Sequence, residues 1–231
     1  DLFLVTEESA LRNLEKEGVP GDRVYFVGNL MIDSLYYHLP AARERKVIDQ
    51  FGLRGQRYGM VTLHRPANVD NREQLAGILG AVREIAREVP LLFPMHPRTR
   101  DMISAETAGE GLLLTEPLGY LDFLSLLSQS SVVLTDSGGI QEETTALGIP
   151  CLTLRDNTER PVTVEQGTNR LAGTTREGIL RAWQDVRSAG DTHKRSTMPR
   201  FWDGHAAERC VAAIQKMLVV AATANGAVPQ R

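Results

Sequence analysis

Short apolar runs alternate with amphipathic stretches along almost the whole chain, and nothing else constrains its fold as strongly. Runs rich in Val, Leu, Phe and Ile predict strands over Arg23–Val27, Tyr58–Leu63, Leu91–Met95, Gly111–Thr115, Ser131–Thr135 and Cys151–Leu154. They are near-continuous rather than alternating, which is the pattern of strands covered on both faces. The stretch Asn71–Glu88 gathers Leu75, Ile78, Leu79, Val82 and Ile85 on one side, with Arg and Glu on the other. Helices are likewise expected over Leu121–Leu127, Ile140–Leu147, Thr175–Val186 and Phe201–Leu218. Strand, helix and strand repeated five or six times implies right-handed crossovers and an α/β fold, an open parallel sheet with helices on both faces. Ligands of such sheets sit beyond the carboxyl ends of the strands, so those ends are where chemistry is sought. Ser188–Thr197 is polar and reads as a loop, and Ala221–Arg231 reads as a weakly patterned, frayed tail.

Composition narrows the function classes. The 231 residues carry 26 basic and 29 acidic side chains, a formal net charge of −3. A balance this even lacks the basic excess of a nucleic-acid footprint. The longest apolar run, around Met217–Ala222, is far too short to span a bilayer. Aromatics at 6% argue against a carbohydrate-stacking lectin. Two cysteines, Cys151 and Cys210, make no disulfide framework and fit a reducing compartment, the cytoplasm. The chain opens on Asp1 with no basic n-region or cleavage pattern, and reads as a portion of a longer protein.

Three strand ends carry candidate chemistry. In Thr135-Asp136-Ser137-Gly138-Gly139-Ile140-Gln141-Glu142-Glu143, an apolar strand runs into a hydroxyl residue, two glycines and a helix. Free N–H groups with no Cβ in the way, at the positive end of a helix, form a cradle for a diphosphate. Glu142 and Glu143 follow about a turn later; a carboxylate repels phosphate, so one of them suits ribose hydroxyls instead. The same residues also read as an N-capped helix behind a Gly-rich turn. His64, in Thr62-Leu63-His64-Arg65-Pro66-Ala67-Asn68, stands just past a strand and could donate to a phosphate oxygen or protonate a departing phosphate. A histidine satisfied by local backbone is the plainer reading. In Leu154-Arg155-Asp156-Asn157-Thr158-Glu159-Arg160-Pro161, Arg160 could fork onto a phosphate or carboxylate. Alternatively Arg155 with Asp156, and Glu159 with Arg160, are surface pairs. Met95-His96-Pro97-Arg98 reads as a turn with an exposed Arg.

Gly28-Asn29 with Asp33, His64-Arg65 with Asn68, the DSGGIQEE segment, LRDNTERP and EQGTNRL together closely resemble the UDP-N-acetylglucosamine 2-epimerase family, over the chain to about Met217. Many members read HRREN where this chain has His64-Arg65-Pro66-Ala67-Asn68. The resemblance implies one half of a GT-B architecture of two Rossmann-like domains. Residues 1–22 would close the amino-terminal domain and link to this one, 23–200 would form the UDP-binding Rossmann-like domain, 201–218 would be a helix crossing back, and 219–231 a tail. It further implies that Ser137, Gly138 and Gly139 hold the diphosphate, Glu143 the ribose hydroxyls and Phe123 the uracil. Arg160 would lie near the sugar nucleotide, and His64 would contact the diphosphate or assist its departure. The family reaction inverts C2 of UDP-N-acetylglucosamine by eliminating UDP to a glycal and adding it back, with no metal or redox cofactor. The carboxylates that move the C2 proton belong to the amino-terminal domain. A homodimer is expected of the full-length protein, with neither nucleic acid nor membrane as a partner. Some members bind a second nucleotide sugar near the position of His96. A glycosyltransferase of the same architecture, a hydrolysing epimerase and a stand-alone nucleotide-binding domain remain alternatives.

Overall fold

The computed structural model describes residues 1–95, 97–100, 102–103, 109–190 and 197–224. His96, residues 191–196 of the polar loop and the tail from 225 onward lie outside the described residues. In chain order the first elements are β1 (Phe3–Val5), α1 (Glu8–Lys16), β2 (Val24–Phe26), α2 (Leu30–Arg43), α3 (Val47–Gln50), β3 (Gly59–Thr62), α4 (Pro66–Val69), α5 (Arg72–Ala86), β4 (Leu91–Pro94) and α6 (Pro97–Arg100). There follow β5 (Leu112–Thr115), α7 (Tyr120–Leu127), β6 (Val132–Thr135), α8 (Gly138–Leu147), β7 (Cys151–Thr153), α9 (Pro161–Glu165), β8 (Asn169–Leu171), α10 (Arg176–Ala189) and α11 (Ala206–Ala224). The chain divides into two compact units, residues 1–37 with 199–231, and residues 38–198.

In the first unit, β1 and β2 pair in parallel, Phe3 opposite Val24. The strand expected at Arg23–Val27 is thus part of a separate two-stranded sheet. Asp33 caps α11, its carboxylate accepting from the backbone N–H groups of Ala206 at 3.0 Å and Ala207 at 2.7 Å. The buried Trp202 donates Nε1–H to the Thr6 carbonyl at 3.1 Å. Helix α11 starts five residues later than expected, at Ala206, and runs on to Ala224. Left-handed backbone at Phe201 (φ 63°) and Gly204 (φ 84°) breaks the helical path before it. Gly28 (φ 91°) is required here, because a Cβ would lie 2.1 Å from the Phe201 carbonyl oxygen.

The second unit is built on a six-stranded, wholly parallel sheet in the order β5-β4-β3-β6-β7-β8. Both of its faces are covered, as the unbroken apolar runs require. Val61, Leu91, Phe93, Val132, Leu134 and Leu152 form one core with Leu75, Ile78, Val82 and Ile85 of α5 and Ile179, Trp183 and Val186 of α10. By alternation Met60, Leu92, Val133 and Cys151 point to the other face, where they are also fully buried. There Tyr58 donates its hydroxyl to the Leu126 carbonyl of α7 at 2.6 Å. Burial pushes the Cys151 thiol up to about 12, so it is packing rather than a nucleophile. Side chains cap the long helices of the first face, Asn71 accepting from Gln74 N–H and Thr175 from Gly178 N–H. β8, the outer strand with sequence Asn-Arg-Leu, was not expected. It is three residues long and mostly polar, so no apolar run announces it.

Candidate functional site

Strand order alone marks one place on this sheet. From β3 the chain steps outward through β4 to β5, then returns to place β6 on the other side of β3 and steps through β7 to β8. Connections leave β3 and β6 in opposite directions, which opens a crevice at their carboxyl ends. Register makes the two ends level: Thr62 pairs with Thr135, so His64 and Ser137 each stand two residues beyond a matched pair. Thr135 is likewise opposite Thr153 of β7, which brings Arg155 to the same height. The apolar strands therefore finish in a row of threonines. The Thr62 and Thr135 hydroxyls meet at 2.6 Å, and Thr135 Oγ1 accepts from the Ser137 N–H at 3.0 Å.

Beyond β6 the chain turns directly into α8. Ser137 is its N-cap residue, with extended backbone and no side-chain cap on the first-turn N–H groups. No acidic residue lies in that first turn. A Cβ built on Gly138 would meet no atom within 4 Å, so protein packing does not explain its glycine. An uncapped helix start bordered by open space is an arrangement that takes up an anion.

Asp136, between the threonine row and Ser137, is fully buried. Its carboxylate accepts from the backbone N–H of Arg65 at 2.9 Å and of His64 at 3.1 and 3.2 Å, and from Asn68 Nδ2 at 3.3 Å. His64 Nδ1 lies 2.8 Å from its Oδ1. Burial raises the acid's pKa, but the His64 ring and the two backbone N–H groups outweigh it and hold Asp136 below the usual carboxylate range. The sequence reading passed over Asp136 as part of a turn and put no role on it. Its signal was a charged residue directly after a strand of three apolar residues and a threonine, where burial is expected and a partner is needed. Asn68 is fixed in turn, donating to the Leu154 carbonyl at 3.0 Å and accepting from Gln74 Nε2 at 3.0 Å.

The segment after β7 is tied to the same ends, by pairs other than the neighbouring ones weighed from sequence. Arg155 forks onto Glu159 at 2.6 and 2.7 Å, and Arg65 reaches Glu159 from across the crevice mouth at 3.4 Å. Arg155 chiefly holds Glu159 down to about 2. Arg160 Nε lies 2.7 Å from the buried Glu142 of α8. Gln141 braces this loop against α8: it accepts from Thr158 Oγ1 at 2.6 Å and donates to the Ser137 carbonyl at 3.2 Å, and Thr158 Oγ1 accepts the Arg160 N–H at 2.9 Å.

Glu143 is also buried, and faces Tyr120, whose hydroxyl donates to its Oε1 at 3.1 Å. Burial, with the neighbouring Glu142 charge, pushes Glu143 up to about 7 despite the Tyr120 bond. Burial, then Glu143, also raises the Tyr120 hydroxyl's pKa, so it keeps its proton. Phe123, three residues along α7 from Tyr120, is half-buried. The fold thus gathers His64, Ser137, Gly138, Gly139 and Arg160 about adjoining strand ends and α8, while Glu143 is joined to α7 through Tyr120, a residue sequence reasoning gave no role. Among the described residues no group of three or more His, Cys, Asp or Glu side chains is placed to hold a metal ion. None of the described helices is long and apolar enough to cross a membrane.

Known proteins share much of this sequence and its fold. The UDP-N-acetylglucosamine 2-epimerase of Methanocaldococcus jannaschii is 36% identical over 221 residues, 91% of this chain and 59% of that protein. A Pseudomonas aeruginosa UDP-2,3-diacetamido-2,3-dideoxy-D-glucuronate 2-epimerase is 35% identical over 184 residues, 78% of this chain and 51% of that protein. A crystal structure of the Methanocaldococcus jannaschii UDP-GlcNAc 2-epimerase in complex with UDP-GlcNAc and UDP superposes with a TM-score of 0.82 at 35% identity, covering 93% of this chain and 61% of that one. The chain therefore matches one part of the GT-B-like epimerase structures, and spans about 60% of the length of the first of these relatives. The sequence profile of the UDP-N-acetylglucosamine 2-epimerases matches residues 1–215, and the chain belongs to that family.

Proposed function

We propose that this chain is the UDP-binding part of a UDP-N-acetylglucosamine 2-epimerase, which interconverts UDP-N-acetylglucosamine and UDP-N-acetylmannosamine by eliminating and re-adding UDP. The observation that carries the reading is the level placement of His64 and the open Gly138 turn on the two strands where the sheet reverses. In this reading the Ser137 hydroxyl and the first-turn N–H groups of Gly138 and Gly139 bind the diphosphate, with the helix dipole favouring its charge. His64 sits beside it, where a proton delivered to the departing phosphate would assist cleavage of the C1–O bond. Glu142 is engaged by Arg160, which leaves Glu143 the better acceptor for the ribose diol, with Tyr120 aiming its carboxylate. Arg160 borders the sugar and Phe123 the uracil. Carboxylates for the C2 proton would come from a preceding amino-terminal domain, which residues 1–22 would close and 201–218 would rejoin, in a cytoplasmic homodimer.

A second reading keeps the reaction and changes the sugar, because the Pseudomonas aeruginosa relative acts on a diacetamido uronate. Both readings share the nucleotide site. Calorimetry of the chain with UDP and with inorganic pyrophosphate tests it. UDP should bind, and Glu143→Ala should weaken UDP about tenfold or more while leaving pyrophosphate unchanged or slightly tighter. Equal losses for both ligands would remove Glu143 from the ribose site, and absence of UDP binding would remove the reading.

A further inference from the structure

Burying a carboxylate completely is costly unless every lone pair is used. Asp136 meets that demand, but does more than hold the turn that leads into the four-residue helix α4. The His64 and Arg65 N–H groups need only an acceptor, which a serine or threonine could supply without a charge. Its shortest contact is instead to a side chain that is itself about half exposed: His64 Nδ1 at 2.8 Å, with the imidazole 45% accessible. The backbone bonds fix the position of residue 64, the ring contact fixes its rotation, and Asn68 secures the carboxylate from the far side. A histidine whose one nitrogen donates to a carboxylate has its tautomer chosen for it.

We propose that Asp136 is the positioning residue of His64: it accepts a hydrogen bond from Nδ1–H, so that Nε2 is the nitrogen that exchanges a proton with the ligand's diphosphate. The role of Nε2 rests on the nucleotide-binding reading above; the pairing at Nδ1 does not. A charged carboxylate also favours the doubly protonated ring, the form that can donate through Nε2 while still bonded to Asp136. An amide in its place offers one acceptor and one donor, and can turn its NH₂ toward Nδ1 and invert the tautomer.

The test is nitrogen-15 NMR of the 231-residue chain at a pH where the ring is neutral, with the His64 signals assigned by their loss in His64→Gln. UDP calorimetry runs beside it. The wild-type ring should be the Nδ1–H tautomer. Asp136→Asn should shift it to Nε2–H and weaken UDP about tenfold. Adding Asp136→Asn to His64→Gln should cost no further affinity, because the carboxylate acts through the ring. A role confined to holding the backbone turn would instead give additive losses and an unchanged tautomer, and either result overturns the proposal. So does a wild-type ring in the Nε2–H form, a measurement that stands even where Asp136→Asn does not fold. If the wild-type chain fails to bind UDP, the nucleotide reading falls and the tautomer still decides the pairing.

Discussion

Glu143 is held at a cost to the fold. Its proton is bound more tightly in the folded chain, near 7, than in the unfolded chain, near 4.5. The folded state therefore carries the extra proton between those values, and stability falls as pH rises through that window. The full penalty, on the order of 3 kcal/mol at most, is present above about pH 7. Glu143→Gln keeps an acceptor for Tyr120 and removes the charge. Thermal unfolding should accordingly find the variant stabilised relative to wild type at pH 8, with little difference at pH 4; an equal shift at both would show that burial does not govern this group. At this scale the sequence was informative about residue types and silent about pairing. His64 and Ser137 could be picked out because each stands just past a strand, whereas Glu143 was separated from Glu142 only by the family resemblance. Asp136 and Tyr120 could not be joined to them, since partners 72 and 23 residues away are set by strand register and helix docking.

The elements were legible where their periodicity was strong. α5 and α10 lie within a few residues of the stretches Asn71–Glu88 and Thr175–Val186, because one apolar face is buried in each. What was missed is short or locally contradictory: β1 and β8 have three residues each, and α2 continues through Pro40. Two glycines show how differently one residue type serves an element. Gly59, in β3, leaves no room: a Cβ would lie 2.7 Å from both Leu91 and Val132 side chains. Gly138 faces open space. Gly59→Ala should cost about 1–3 kcal/mol in denaturant unfolding and leave the affinity of the folded fraction for UDP intact. Gly138→Ala should leave unfolding nearly unchanged and weaken UDP. If Gly138→Ala binds UDP normally, the turn does not cradle a phosphate.

At the level of the whole molecule, the proposed reading gives the chain a nucleotide site but not the groups that move the C2 proton. General acid–base groups contribute about 10²- to 10⁴-fold each. Purified chain should therefore bind UDP yet give no detectable UDP-N-acetylmannosamine from UDP-N-acetylglucosamine by proton NMR; turnover by the chain alone would show that the catalytic set is already complete. The first unit has another consequence, for the order of events during synthesis. It is drawn from both ends of the chain, and Asp33 finds its α11 partners 173 and 174 residues later. Every strand of the six-stranded sheet, by contrast, lies between those ends. On a ribosome the sheet can close while α11 is still unmade, so the first unit must wait for α11 to emerge. Pulse-labelled hydrogen exchange of ribosome-bound chains should find the amides of β3 and β6 protected before those of β2.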